Sequence, residues 1–403
     1  MLPGARQWSP LLGRDAEPVR RPRARLPGGM RVAAASPTVL IIAGTRPECI
    51  KLAPVVRRLE SQPQLRTVLV NSGQHGLAVR RTFAEFNIRC DIELGSVPDF
   101  DGLGAAHHHL RSGLREVLQR VRPAMVLVQG DTLTAYSGAR AAHDTSTLLA
   151  HIEAGLRTEA ISDPFPEEWF RRRIARFASI HFAPCASAVR NLLAEGIGDG
   201  SIHQVGNTGI DSLRTLLAER SAVRLPRARD IVLVTLHRRE NHQRNAGIVC
   251  DALIALTRAR PHLRVLFPLH PNPWASATIR RRLESNPAFD LVPPMSYRAF
   301  VFKARDAALI ISDSGGIQEE APHLGTHLLV PRSNTERPEA IETGWVQLVR
   351  ADRAAILEAA IEKLAAPYMR PVPIDDRAPF GAGNAAARIV HIAARTLLQR
   401  AYA

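Results

Sequence analysis

The chain is short of several residue types, and each shortage excludes a class of protein. Its four cysteines, Cys49, Cys90, Cys185 and Cys250, lie far apart with no paired spacing. That spacing gives neither a disulfide framework nor a zinc site, and it fits a reducing cytoplasm. Aromatic residues make up only 5% of the chain, whereas a nucleic-acid binder interleaves aromatics with clustered charge. Lysine is scarcer still: Lys51, Lys303 and Lys363 are the only lysines among 53 basic residues, and the arginines are spread along the chain. The net charge of +15 therefore reads as a bias toward arginine, and no nucleic-acid partner is expected. No apolar run reaches the roughly 18 residues needed to span a bilayer, so no membrane partner is expected either. The triplet His107-His108-His109 has no carboxylate or thiol at ligand spacing, and consecutive helical side chains diverge. A solvated helix start is expected there, and no metal.

What is present is globular: 45% apolar and 23% charged residues over 403 positions, a length that suggests two domains. The stretch before Pro37 is different. It carries Arg6, Arg14, Arg20, Arg21, Arg23, Arg25 and Arg31 against Asp15 and Glu17, with no helical or strand period. It is expected to be disordered, and it lacks the apolar core of a secretory signal.

From Pro37 onward, short apolar runs alternate with helical segments. Strands are expected at 38–43, 67–71, 125–129, 148–152 and 180–184, then again at 231–236, 265–269, 309–312 and 328–331. Runs that are apolar on both faces belong to parallel sheets covered by helices, with the ligand crevice at the strands' carboxyl ends. The fold class that follows is α/β, two doubly wound units facing a cleft. Arginine-rich 221–230, with Pro226, reads as the loop between them. The expected division is an extension over 1–36, an N-terminal unit over 37–205, a C-terminal unit over 206–372 and a tail over 373–403. Within the tail, Ala386 to Arg400 has the apolar period of a helix.

One stretch organises the rest. Leu309-Ile310-Ile311-Ser312 breaks at Asp313-Ser314-Gly315-Gly316 and resumes as Ile317-Gln318-Glu319-Glu320-Ala321-Pro322. A strand, a tight turn and a helix start make a phosphate seat, because unpaired first-turn N–H groups and the helix dipole attract an anion. A lone Gly-Gly turn can also hold nothing. Other loops strengthen the first reading: Gly44-Thr45-Arg46-Pro47-Glu48 with Lys51, Gln129-Gly130-Asp131-Thr132, and His151-Ile152-Glu153-Ala154-Gly155-Leu156-Arg157-Thr158. Pro166-Glu167-Glu168, His237-Arg238-Arg239-Glu240-Asn241 and Glu336-Arg337-Pro338-Glu339-Ala340 complete the set.

In this order, over roughly Pro37 to Arg350, these motifs resemble the non-hydrolysing UDP-N-acetylglucosamine 2-epimerases. The resemblance implies two Rossmann-like domains of the glycosyltransferase B type and interconversion of UDP-GlcNAc with UDP-ManNAc. It also implies a homodimer, a cytoplasmic enzyme and a nucleotide-sugar substrate. The turn Gly44-Thr45-Arg46-Pro47 lacks the three-glycine dinucleotide fingerprint, so no cofactor is expected.

The residue types suit that chemistry. A diphosphate needs fixed cations and oriented donors, which Arg46, Lys51, His237 and Arg337, with Ser314, Gly315 and Gly316, can supply. His237 could equally be a capping residue, while Arg238 and Arg239 read as surface or interdomain charges. The resemblance places Glu320 against the ribose hydroxyls and Phe300 on the substrate-binding side. For inversion at C2 the resemblance implies loss of UDP together with the C2 proton, giving a 2,3-unsaturated or glycal-type intermediate, the 1,2-glycal being favoured, and re-addition of UDP after a proton returns to the opposite face. Asp131, Glu153 and Glu167 are the candidate acids and bases, and clustering them would push some of their pKa values up. Each could instead cap a helix or pair with an arginine, Asp131 before Thr132 especially. A hydrolysing relative, an enzyme acting on another nucleotide sugar and an inactive nucleotide-sugar-binding protein are the rival readings.

Three departures from the family pattern stand out. Trp169-Phe170 follow Pro166-Glu167-Glu168 where small residues are usual, which would reshape or desolvate that corner. The loop Gln74-His75-Gly76-Leu77 lacks a polar residue near which bacterial members bind a second, activating UDP-GlcNAc. Val292-Pro293-Pro294-Met295-Ser296-Tyr297 is less acidic than usual near the expected uridine pocket.

Overall fold

The apolar runs become buried parallel strands whose order fixes where a ligand can enter. The computed structural model describes residues 36–98, 102–158, 164–219, 230–236, 245–269, 273–367 and 369–402. Strands β1 (Thr38–Ala43), β2 (Arg66–Asn71), β3 (Ile92–Glu93), β4 (Met125–Gln129), β5 (Leu148–Ile152), β6 (Ile180–Ala183) and β7 (Ile202–Gln204) form one sheet. Its order is β3-β2-β1-β4-β5-β6-β7, parallel throughout. The connections contain α1 (Arg46–Glu60), α2 (Gly76–Glu85), α3 (Leu103–Val121), α4 (Leu133–Asp144), α5 (Glu167–Phe177) and α6 (Ala186–Ala194). After β7 comes α7 (Thr208–Glu219).

A second parallel sheet repeats the plan. It contains β8 (Ile231–Thr235), β9 (Arg264–Pro268), β10 (Phe289–Val292), β11 (Leu309–Ser312), β12 (Leu328–Pro331) and β13 (Val346–Val349). The order is β10-β9-β8-β11-β12-β13. Around it lie α8 (Ala246–Ala259), α9 (Pro273–Leu283), α10 (Tyr297–Asp306), α11 (Gly315–Leu324), α12 (Pro338–Glu342) and α13 (Arg353–Ala365). The last helix, α14 (Ala385–Tyr402), returns to the first sheet: Ile389, Val390, Ala393 and Leu397 share a core with Val39 and Ile41 of β1 and Leu52 and Val56 of α1. Asp211 of α7 accepts the backbone N–H groups of Ala385 and Ala386 at 3.1 and 2.9 Å, which caps the start of that helix.

Central strands are dry on both faces. Val39 through Ala43 and Met125 through Val128 are fully buried, as helices on both sides of a parallel sheet require. The fold is therefore the doubly wound α/β pair expected of the glycosyltransferase B type. In each sheet the winding reverses next to the first strand, between β1 and β4 and between β8 and β11. Ligands of such sheets bind outside the strands' carboxyl ends at these reversals. Among the described residues no helix is long and apolar enough to cross a membrane.

Two expectations lie elsewhere. The stretch before Pro37, apart from Ser36, and the 221–230 loop, apart from Asp230, fall outside the described residues. Of the histidine triplet near the start of α3, His108 and His109 are exposed as expected, while His107 is half-buried, its Nδ1 2.9 Å from Ser137 Oγ and its ring 4.6 Å from that of Tyr136.

Candidate active site

At the first reversal the β1–α1 and β4–α4 turns are tied through one buried carboxylate. Gly44 and Thr45 donate their backbone N–H groups to Glu48 Oε2 at 2.8 and 2.6 Å, and Thr132 donates its hydroxyl to Oε1 at 2.6 Å. A Cβ on Gly44 would lie 1.9 Å from Thr134 Oγ1, so the two turns can close this tightly only with glycine there. Burial pushes the Glu48 carboxyl up to about 7, against the pull of its hydrogen bonds. A raised carboxyl holds its proton more firmly in the folded than in the unfolded chain. Its stabilising contribution is thus complete below about 4.5 and lost as pH rises through about 7. Glu48→Gln should flatten this part of the stability profile in denaturant melts taken across that window. An offset between wild type and variant that is constant with pH would count against it.

Arg46 is the first residue of α1 and half-buried; burial lowers its pKa, and the charge of Glu85 partly restores it. Lys51, farther along α1, reaches the end of β5, where its Nζ lies 2.6 Å from Glu153 Oε2. Gln129, the last residue of β4, donates its side-chain amide to the same oxygen. Glu153 occupies the left-handed region with φ of 65°, unusual outside glycine and a mark of strain at functional sites. Asp131 follows Gly130, whose carbonyl accepts from His151 Nε2 at 2.7 Å. Burial pushes that imidazole down to about 3. Asp131 pairs with Arg171 of α5. The two candidate carboxylates are thus each joined to cations, where the sequence suggested a cluster of carboxylates raising one another.

Along α5 the two faces separate at helical spacing. Glu168, fully buried, accepts from Thr158 N at 3.1 Å, Arg171 at 3.2 Å and Arg172 at 2.8 Å. Glu167, the sequence candidate, is the helix's first residue and only half-buried. Phe170 and Ile174 face the opposite way, into the core with Ala135 and Ala139 of α4. Phe170 stacks on Tyr136 at 5.0 Å, and Trp169 meets the same ring edge-on at 5.0 Å. The two aromatics therefore pack into the layer behind α5.

At the second reversal, Ser314 stands at the N-cap of α11 with no side-chain cap, so the first turn at Gly315 and Gly316 keeps its donors for another partner. The Arg337 guanidinium lies against this turn. A Cβ built on Gly315 would come within 2.6 Å of its Nη1. Arg337 donates to Glu319 Oε1 at 2.5 Å, to Glu153 Oε1 at 3.1 Å and to Glu336 Oε2 at 3.4 Å. Burial opposes its charge, but Glu319, Glu336 and Glu153 more than offset that, and its pKa is raised. Glu336 also lies 3.6 Å from Arg171, so the two sheets' turns share one ion-pair network. Burial raises the carboxyl of Glu319, opposed by Lys51 and Arg337. Glu320, next along the helix, is buried and accepts from the Tyr297 hydroxyl at 2.7 Å. Phe300 is half-buried on α10 and packs against the core that contains Tyr297 and Val301. His237, Arg238 and Arg239 lie outside the described residues.

The structure thus joins Lys51 and Arg337 through Glu153 and places Gly315, next after Ser314, beside Arg337, while Asp131 joins through Arg171 and Glu336. Glu168, Arg171, Glu319 and Glu336 belong to the same network without having been singled out by sequence. The Glu168–Arg171–Arg172 spacing, one helical turn, was a signal available for the first two.

Comparison with known proteins identifies the family and the fold. The family model described as UDP-N-acetylglucosamine 2-epimerase matches residues 57–394. A protein of Yersinia pestis named UDP-N-acetylglucosamine 2-epimerase is 36% identical over 365 residues, covering 87% of this chain and 97% of its own. The crystal structure of UDP-GlcNAc 2-epimerase from Neisseria meningitidis bound to UDP-GlcNAc superposes with a TM-score of 0.82 at 33% identity, covering 89% of this chain and 100% of that one. The Methanocaldococcus jannaschii enzyme in complex with UDP-GlcNAc and UDP gives 0.77 at 31% identity, covering 88% of this chain and 99% of that one.

Proposed function

The chain belongs to the UDP-N-acetylglucosamine 2-epimerase family, and from that premise we propose that it interconverts UDP-GlcNAc and UDP-ManNAc by losing and regaining UDP. The observation that carries this reading is Glu153, held between Lys51 and Arg337 beside the uncapped first turn of α11. A diphosphate settles on the N–H groups of Gly315 and Gly316 with the Ser314 hydroxyl beside them, the Ser314 N–H being given to Ser312 Oγ at 3.1 Å, and draws on Arg337 and Lys51, with Arg46 completing its cationic surround. Glu320 takes the ribose hydroxyls, and Phe300 lines the nucleoside side.

The reaction then follows from charge. As the C1–O bond breaks, its electron pair leaves with UDP, and the C2 proton passes to a carboxylate, leaving the 1,2-glycal. Protonation of C2 on the opposite face and attack of the UDP oxygen at C1 give the epimer. Glu153 and Asp131 are the groups assigned to proton transfer, with Glu167 and His237 as further acid–base candidates. UDP held against α11 throughout can re-add instead of escaping.

Incubation of the purified chain with UDP-GlcNAc, followed by anomer-resolved NMR, tests this. UDP-ManNAc should accumulate toward an equilibrium mixture. Free ManNAc with UDP would mark the hydrolysing reading, and no turnover of UDP-GlcNAc at all would sink the proposal.

A further inference from the structure

The residue that holds Glu320 is itself held from the other sheet. Tyr297, 4% exposed, is the first residue of α10 and donates its hydroxyl to Glu320 Oε1 at 2.7 Å. Its backbone N–H, one of the groups a helix start leaves unpaired, donates to Glu85 Oε2 at 2.9 Å. Glu85 closes α2, on the first sheet, and its carboxylate also suits the positive end of the α10 dipole. The Phe86 ring lies 6.3 Å from that of Tyr297, and the charge of Glu85 acts on Arg46. A chain of hydrogen bonds therefore runs from Glu85 through Tyr297 to Glu320, and the charge at its start is also felt at Arg46.

We propose that Tyr297 is a positioning residue that fixes one oxygen of Glu320 so that the other accepts from the ribose hydroxyls, and that Glu85 sets Tyr297 in place from the first domain. This rests on the reading above, in which UDP lies along α11. Recognition of the ribose is then coupled to the approach of the two halves, because the anchor and the reader sit on different sheets. The hydroxyl also favours the ionised carboxylate, opposing the burial that pushes Glu320 up to about 7. Burial and the charge of Glu320 raise the pKa of Tyr297 itself, so it remains a donor.

Calorimetry of the full chain with UDP and with 2′-deoxy-UDP, over about pH 6 to 8.5, tests the inference. Wild type should prefer UDP by about tenfold, the scale of one hydrogen bond to a charged group, and Glu320→Gln should erase that preference. Tyr297→Phe should lower the preference severalfold and move the pH midpoint of UDP affinity upward, because Glu320 loses a donor that favours its charged form. Glu85→Gln, at an exposed position, should shift the preference in the same direction by less, and it supplies the reading if Tyr297→Phe does not fold. A folded Tyr297→Phe with unchanged preference and unchanged midpoint overturns the role of Tyr297 while leaving the proposed function standing. An intact preference in Glu320→Gln overturns the ribose placement and this inference with it, and a wild type that binds no UDP overturns the function first.

Discussion

Glu153→Gln should lower turnover by about 10²–10⁴ while leaving UDP affinity unchanged or tighter, a combination that separates moving the proton from holding the nucleotide. The amide keeps the shape of the carboxylate and cannot act as a base. It also removes the negative charge that now neutralises Lys51 and Arg337, whose nitrogens lie 2.6 and 3.1 Å from the two Glu153 oxygens. Both cations are then available to a diphosphate. Asp131→Asn should lower turnover over the same range, but with little gain in affinity, because Arg171 still faces Glu168 at 3.2 Å and Glu336 at 3.6 Å. Solvent isotope gives the decisive readout. Product formed by wild type in heavy water should carry deuterium at C2, since the proton arriving on the second face comes from a solvent-equilibrated group. Product without deuterium at C2 would refute both assignments.

Much of the fold was legible because central strands of a parallel sheet must be apolar on both faces. Leu40 to Ala43, Met125 to Val128 and Leu309 to Ile311 are continuous runs of that kind, and all are buried. The strands that sequence reading passed over, β3, β7, β10 and β13, are the four edges of the two sheets. Ile92-Glu93, Ile202-His203-Gln204, Phe289-Asp290-Leu291-Val292 and Val346-Gln347-Leu348-Val349 each contain polar or half-exposed positions. An edge strand has a neighbour on one side only and can keep such residues. The signal that found the centre of each sheet is absent at its rim for a physical reason.

The site was legible as a set of turns and less so as a set of contacts. Gly44, Asp131, Glu153 and Gly315 stand at strand ends, where polar residues interrupt apolar runs, and the doubly wound order collects those ends at two reversals. Which cation meets which carboxylate depends on helix packing that local pattern does not encode. Lys51 and Glu153 are 102 residues apart, and Glu153 and Arg337 are 184 apart. At Glu167-Glu168 the two neighbours could be told apart only by helical phase. Phe170 and Ile174 face the core, so Glu168 turns with Arg171 toward the network and Glu167 stays at the helix start.

Removing Arg337 should have the largest effect on stability and nucleotide affinity together. Its guanidinium, 4% exposed, is shared by Glu319, Glu153 and Glu336, and all three are themselves largely buried. Arg337→Met keeps much of the volume but takes from buried Glu319 its ion-pair partner, while Glu153 keeps Lys51 and Glu336 keeps Arg171. Taking one partner from a buried ion-pair set costs about 3–5 kcal/mol, because the charge left behind has lost both its water and its counterion. UDP affinity should fall as well, since a charge-assisted contact with the diphosphate is present in both ground and transition states. Adding Glu319→Gln separates the two losses. It removes the carboxylate closest to the guanidinium, at 2.5 Å, so Arg337→Met with Glu319→Gln should recover part of the denaturant midpoint. It returns no cation to the seat, so UDP affinity should stay low. If affinity recovers along with stability, Arg337 acts only by holding the network together, and its assignment to the diphosphate fails.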